Sequence, residues 1–143
     1  MKDSTLIRNR EFTRRCIELY KRDISQGAVP TIDNLIDRVT LMQPHAYYIA
    51  YDTAAGRIYE IKKYGMENVV SSAVARKMWQ EMIDAVEQTM ATRGCMSFDK
   101  ALSFVLNFRR PSRFYISRDT ARRILTKHFI PTIALRQGAA NRC

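Results

Sequence analysis

Basic side chains are concentrated in one stretch of the sequence. Between Lys100 and Lys127 there are eight basic residues and a single acidic one, and arginine predominates. The planar guanidinium group of arginine forms paired hydrogen bonds with phosphates and with base edges. On a helix, Arg118 and Arg122 fall on one side, away from the apolar positions. The predicted nucleic-acid-binding residues are Arg109, Arg110, Arg113, Arg118, Arg122, Arg123 and Lys127.

The charge of the whole chain is also asymmetric. The 143 residues carry 24 basic and 14 acidic side chains, a net charge of +10. Residues 1–72 have a net charge of +2 and residues 73–143 a net charge of +8. Such an excess favours a polyanionic partner, either nucleic acid or an acidic protein. The alternative is a solvated face that binds nothing specific.

Residues for catalysis or metal binding are sparse. The two histidines, His45 and His128, show no zinc-binding spacing and no recognisable catalytic partner. Cys16, Cys95 and Cys143 are far apart and odd in number, which argues against a disulfide framework or a zinc site. With five glycines in all, a phosphate-binding loop is not expected. The sequence predicts a non-enzymatic protein with no catalytic residue, metal or cofactor.

The location of the protein is predicted from the same features. No stretch of the sequence reaches the roughly 18 apolar residues of a membrane span. The first residues lack the apolar segment of a secretory signal. Unpaired cysteines favour a reducing compartment. We therefore expect a cytoplasmic protein that does not engage a membrane.

Two segments of the chain resemble each other at an offset of 67 residues. Residues 44–54 and 111–121 are identical at six of eleven positions. The similarity extends to Phe12 with Trp79 and to Gly27 with Gly94. Self-similarity at a fixed period is typical of a repeated structural unit. We predict repeats at 1–66 and 67–131 and a flexible tail at 132–143, together forming one domain.

Each predicted repeat has the order helix, helix, short strand, helix. Glycines end the first helices, and Thr31 and Ser97 cap the second ones. Aromatic runs at 46–50 and 113–117 are typical of short strands. Asp52 and Ser117 are predicted to cap the third helices, and the last helix is predicted to end at Ile130–Pro131.

The fold class is therefore mainly α, with the two strands pairing across the repeats, since a lone strand leaves its backbone unpaired. Two independent three-helix units are the alternative. The residues expected in the core include Phe12, Ile36, Tyr48, Trp79, Phe98, Phe108, Phe114 and Ile116.

The segment Asp99–Arg118, which contains the run Pro111-Ser112-Arg113-Phe114-Tyr115-Ile116-Ser117, resembles a short signature of small uncharacterised bacterial proteins. The resemblance is clear in the last third of the chain. It implies a bacterial cytoplasmic protein and carries no activity, substrate or site residue.

Two functions remain open at this level. The first is a nucleic-acid-binding protein, DNA-associated, that binds through its second repeat. The second is a protein-interaction adaptor that uses a helical surface or a strand edge.

Overall fold

The structure, a computed structural model, describes residues 2–94 and 96–140, with side chains described for 4–94 and 96–129. Seven helices occupy these ranges. They are α1 (Lys2–Ser25), α2 (Ile32–Thr40), α3 (Tyr51–Tyr64), α4 (Met66–Val69), α5 (Ala73–Thr92), α6 (Phe98–Phe108) and α7 (Arg118–Ala140). Within the described part of the chain, no helix is both long and apolar enough to cross a membrane.

The mainly helical fold class is confirmed, but the predicted strands are wrong. Residues 46–50 and 113–117 are irregular, and the described residues contain no strand. Tyr48 has a φ of 58°, in the left-handed region, which turns the first run. In the second run the Ile116 N–H donates to the Phe114 carbonyl at 3.0 Å, a tight turn of three residues. These local turns prevent the extended geometry that a strand ladder requires.

The predicted N-caps are confirmed at three of four positions. The hydroxyls of Thr31, Ser97 and Ser117 accept N–H groups at 3.1, 3.4 and 3.2 Å in the first turns of α2, α6 and α7. Asp52 is wrong as a cap, because α3 begins at Tyr51 after Ala50 and has no side-chain cap. Asp52 instead lies in the first turn, where its charge favours the positive end of the helix dipole.

The predicted end of the last helix at Ile130–Pro131 is also wrong, because α7 continues to Ala140. A proline within a helix removes one backbone donor, and this loss does not by itself end a helix. Residues 132–140 of the predicted tail at 132–143 thus belong to α7, and residues 141–143 lie outside the described residues.

Two hydrophobic cores hold the helices together, and each draws on both halves of the sequence. The first core combines α1 and α2 with α7 and the buried side chains of Phe114 and Ile116. The second combines α5 and α6 with α3 and Tyr47. Helix α7 thus packs on α1 and α2, while α3 packs on α6 and shares the second core with α5. Neither half forms a core alone, so two independent three-helix units are not observed, while the repeat itself stays a prediction.

Burial agrees with the predicted core except at three aromatic residues. Phe12, Ile36, Trp79, Phe114 and Ile116 are buried. Tyr48 and Phe98 are half-buried. The predicted burial of Phe108 is wrong, since 72% of this side chain is exposed. Phe108 is the last residue of α6, beyond the buried face that ends at Val105, and it packs against Phe104 at the surface with ring centroids 5.2 Å apart.

Candidate nucleic-acid interface

A groove of about 860 Å³ lies between α5 and the segment that follows α6. Helix α5 supplies Lys77 and Glu81, and the irregular segment around Pro111, between α6 and α7, supplies the arginines. We call this feature the basic groove. Its charged and aromatic lining residues are Lys77, Glu81, Asp84, Arg109, Arg110, Arg113, Tyr47 and Tyr115.

Glu81 organises the wall of the basic groove. Its carboxylate accepts the Ser112 N–H and the Ser112 hydroxyl, both at 2.6 Å. It also accepts the hydroxyls of Tyr115 at 2.5 Å and Tyr47 at 3.4 Å. One helical carboxylate thereby fixes the turn after Pro111 and two aromatic rings from opposite halves of the chain.

The protonation states of this cluster follow from these bonds. Burial alone would raise the pKa of Glu81, but the hydrogen bonds from Ser112 and Tyr115 outweigh it and lower the pKa. Burial, together with the charge of Glu81, raises the pKa of Tyr47. A carboxylate saturated by donors is a poor general base, and neutral tyrosines remain donors. The cluster is therefore suited to positioning rather than to proton transfer.

Glu11 on α1 makes a similar set of hydrogen bonds at the turn after Pro44. It is 5% exposed and accepts the His45 N–H at 3.0 Å and the Tyr48 hydroxyl at 2.5 Å. Arg15, one turn along α1, donates to it at 2.8 Å. In both places a carboxylate holds the residue after a proline and the tyrosine three positions later.

Sequence reasoning missed both carboxylates. At the 67-residue offset Glu11 aligns with Met78, and Glu81 aligns with Arg14, so the repeat did not mark either position. The signal available was the matched pair Tyr48 and Tyr115, whose hydroxyls need partners when half-buried.

The structure brings three of the predicted arginines to the basic groove and gives them different roles. Arg109 donates to Gln88 at 2.8 Å. Arg110 donates to the carbonyls of Pro44 and Gln43 at 2.7 and 3.0 Å, so it links the segment before Pro111 to the segment around Pro44. Arg113 is exposed, and no carboxylate among the described side chains lies within 4 Å of it.

The predicted arginines of α7 divide into paired and unpaired residues. Arg118 forms an ion pair with Asp37 at 2.5 Å, and Arg122 forms one with Asp33 at 3.0 Å. Both carboxylates belong to α2, so these arginines dock α7 on the first core. Arg123 and Lys127 occupy exposed positions on α7. The continuous stripe expected from the helical spacing is thus partly neutralised by α2.

A second cavity of about 200 Å³ adjoins the basic groove, and we call it the aromatic pocket. Tyr47, Arg113 and Tyr115 line both cavities. The aromatic pocket also has Arg8, Tyr48, Ile49, Phe114, Pro44 and Pro111 in its walls.

The cysteines and the possible metal ligands form no reactive site among the described side chains. Cys16 is fully buried in the first core, and burial raises the pKa of its thiol to about 12, which suppresses the reactive thiolate. Cys95 and Cys143 lie outside the described residues. Among the side chains that the structure describes, no group of three or more His, Cys, Asp or Glu residues is placed to hold a metal.

Compared with known proteins, the chain matches no protein-family model, no curated protein and no solved structure.

The hydrogen bonds to Glu11 and Glu81 predict loss of stability in acid. Both carboxyl groups have a folded-state pKa below the ordinary value of 4.5. An acid with a depressed folded-state pKa contributes stability that is present above its unfolded pKa and is lost as pH falls through the folded one. Urea unfolding midpoints should be level between about pH 6 and pH 7 and should fall below about pH 4.5.

A matched variant tests whether these two groups are responsible. Glu11→Gln with Glu81→Gln should flatten the acid limb of the stability profile, because the amides do not titrate. The control, Glu18→Gln with Glu60→Gln, should keep the wild-type slope. An equal acid limb in both double variants would contradict the assignment.

Proposed function

We propose that this protein is a non-enzymatic, cytoplasmic nucleic-acid-binding protein that holds the phosphate backbone in the basic groove. The main support for nucleic-acid binding is that Lys77, Arg109, Arg110 and Arg113 all line one groove of about 860 Å³. Arg113 supports it further, because no described carboxylate neutralises its charge. Arginines near phosphates supply most of the sequence-independent affinity in such complexes.

The proposed binding residues differ from the predicted ones, because Lys77 is added and the arginines of α7 that face α2 have a smaller part. No carboxylate among the described side chains forms an ion pair with Lys77 or Arg113, so both can contact phosphates. Arg109 would give up only its hydrogen bond to the neutral amide of Gln88. Arg118 and Arg122 would first have to leave their aspartates, so they contribute less. Arg123 and Lys127 offer additional exposed charge on α7.

Salt dependence of binding tests this function. About three phosphate contacts predict a slope of log K against log salt near −2 for a single strand and near −3 for a duplex. Arg109→Ala with Arg113→Ala should weaken binding to all sequences and flatten the slope by about 1 to 2. Fluorescence anisotropy with labelled oligonucleotides from about 20 to 200 mM salt gives both quantities.

Two charge-matched controls locate the effect. Lys62→Ala with Lys63→Ala removes two exposed charges from the end of α3 and should leave the slope unchanged. Arg118→Ala with Arg122→Ala should have a smaller effect than the groove variant, because both arginines are already paired. If the wild type binds neither strand form at low salt, the nucleic-acid function is wrong.

That outcome would favour the adaptor function, for which one observation speaks. Phe108 is exposed at the end of α6 and packs on Phe104, which Arg93 also covers at 4.3 Å from the ring centroid. This helical surface is the contact that an adaptor would use. The strand-edge form of the adaptor is not supported, since the described residues contain no strand.

A further inference from the structure

The aromatic pocket is positioned to continue the basic groove. The two cavities share Tyr47, Arg113 and Tyr115, so the pocket and the groove adjoin at these three side chains. At about 200 Å³ the pocket is smaller than the ~300–1,000 Å³ typical of cofactor and drug-like ligands. Its size suits one ring-shaped group rather than an extended molecule.

Arg8 gives the pocket an unused hydrogen-bond donor. Among the described residues, its guanidinium donates to Oδ1 of the adjacent Asn9, at 3.0 and 3.2 Å, and to no other acceptor. No carboxylate among the described side chains lies within 4 Å of it. Burial lowers the pKa of this guanidinium, yet arginine remains charged near neutrality. A half-buried cation of this kind is stabilised by a ligand that supplies acceptors.

The pocket walls are held in place before any ligand arrives. Glu81 fixes the hydroxyls of Tyr47 and Tyr115, and Glu11 fixes that of Tyr48. Tyr48 also adopts a φ of 58°, a conformation that bulky residues rarely take. Such strain persists only where the surroundings enforce it, and it is concentrated at binding and catalytic sites. The rings therefore form a preorganised surface.

We propose that the aromatic pocket receives one unstacked base of a single-stranded nucleic acid while the basic groove holds the adjoining phosphates. This inference rests on the proposed function and names its substrate class. Single strands are recognised by bases that stack on aromatic side chains, whereas the bases of a duplex are already paired and stacked. Arg113, which lines both cavities, contacts the phosphate next to the inserted base.

Arg8 gives the pocket a base preference. A guanidinium has only donors, so it selects a base edge rich in acceptors. Thymine and uracil present carbonyl oxygens at positions 2 and 4, whereas adenine presents an exocyclic amino group. A thymine- or uracil-containing strand is therefore favoured over an adenine strand.

Three labelled probes of about twelve nucleotides test the inference: oligo(dT), oligo(dA) and the duplex formed from both. The wild type should bind oligo(dT) about tenfold more tightly than the other two. Arg8→Met should lower the affinity for oligo(dT) to the level of the other two probes. Arg10→Met, an exposed arginine on the same helix outside the pocket, should behave like the wild type.

A photocrosslink gives a second, independent measurement. Oligo(dT) carrying one 5-iodouracil should crosslink to a peptide that contains Tyr47, Tyr48 or Tyr115. Equal affinity for all probes, or a crosslink confined to peptides outside the pocket, would overturn the base pocket while leaving the groove function intact. Absence of binding by any probe at low salt would overturn both.

Discussion

Replacing Trp79 by alanine should lower the free energy of unfolding by about 3–5 kcal/mol, the range for truncating a large buried aromatic side chain. Trp79 is 7% exposed and lies in the second core, on the buried face of α5 beside Met82 and Ile83. Such a loss is a large part of the roughly 5–15 kcal/mol that stabilises an ordinary domain. Urea unfolding followed by far-UV circular dichroism measures it through the midpoint and the slope.

Phe108→Ala is the matched comparison, because the sequence pattern predicted the same burial for both rings. Phe108 is 72% exposed, so its truncation should change the free energy of unfolding by less than about 1 kcal/mol. A loss below about 1 kcal/mol for Trp79→Ala, or one above about 2 kcal/mol for Phe108→Ala, would show that the arrangement of α5 and α6 is wrong.

Glu11→Ala should be the most damaging polar substitution, with a loss of about 3 kcal/mol in the free energy of unfolding. The substitution leaves the Tyr48 hydroxyl, the His45 N–H and the Arg15 guanidinium without their shared acceptor. Removing one partner of a buried charged cluster costs more than the pair contributes, because the remaining groups stay desolvated. Thermal and urea unfolding of the purified variant measure the loss.

Glu18→Ala on the same helix provides the control. The side chain of Glu18 is 64% exposed and meets Arg14 only at 3.9 Å, so its loss should be below about 0.5 kcal/mol. Glu11→Gln keeps one acceptor oxygen and should fall between the two. Similar stability for Glu11→Ala and Glu18→Ala would mean that the Glu11 carboxylate does not stabilise the turn after Pro44.

Local signals in the sequence were sufficient for the existence of six of the seven described helices, whereas α4 was not predicted and α7 extends beyond its predicted end. The capping hydroxyls of Thr31, Ser97 and Ser117 act within their own first turns, and Gly27 and Gly94 adopt the positive φ that follows a helix end. The apolar spacing of α1 and α5 also placed Phe12 and Trp79 on buried faces. These features depend on neighbours within a few residues, which is why a single sequence reveals them.

Pairings between distant residues were decided by the tertiary structure alone. Helix α7 meets α2 across more than eighty positions, so the aspartates that neutralise Arg118 and Arg122 have no mark in the local pattern. The aromatic runs were predicted as strands from composition, but Glu11 and Glu81 instead draw them into turns. The spacing of charged and apolar residues in the sequence therefore predicted which residues share a helix face. Which faces meet, and which arginines have no acidic partner among the described residues, followed from the packing of α7 on α1 and α2 and of α3 on α6. Only that packing sets the distances between groups that are remote in the chain.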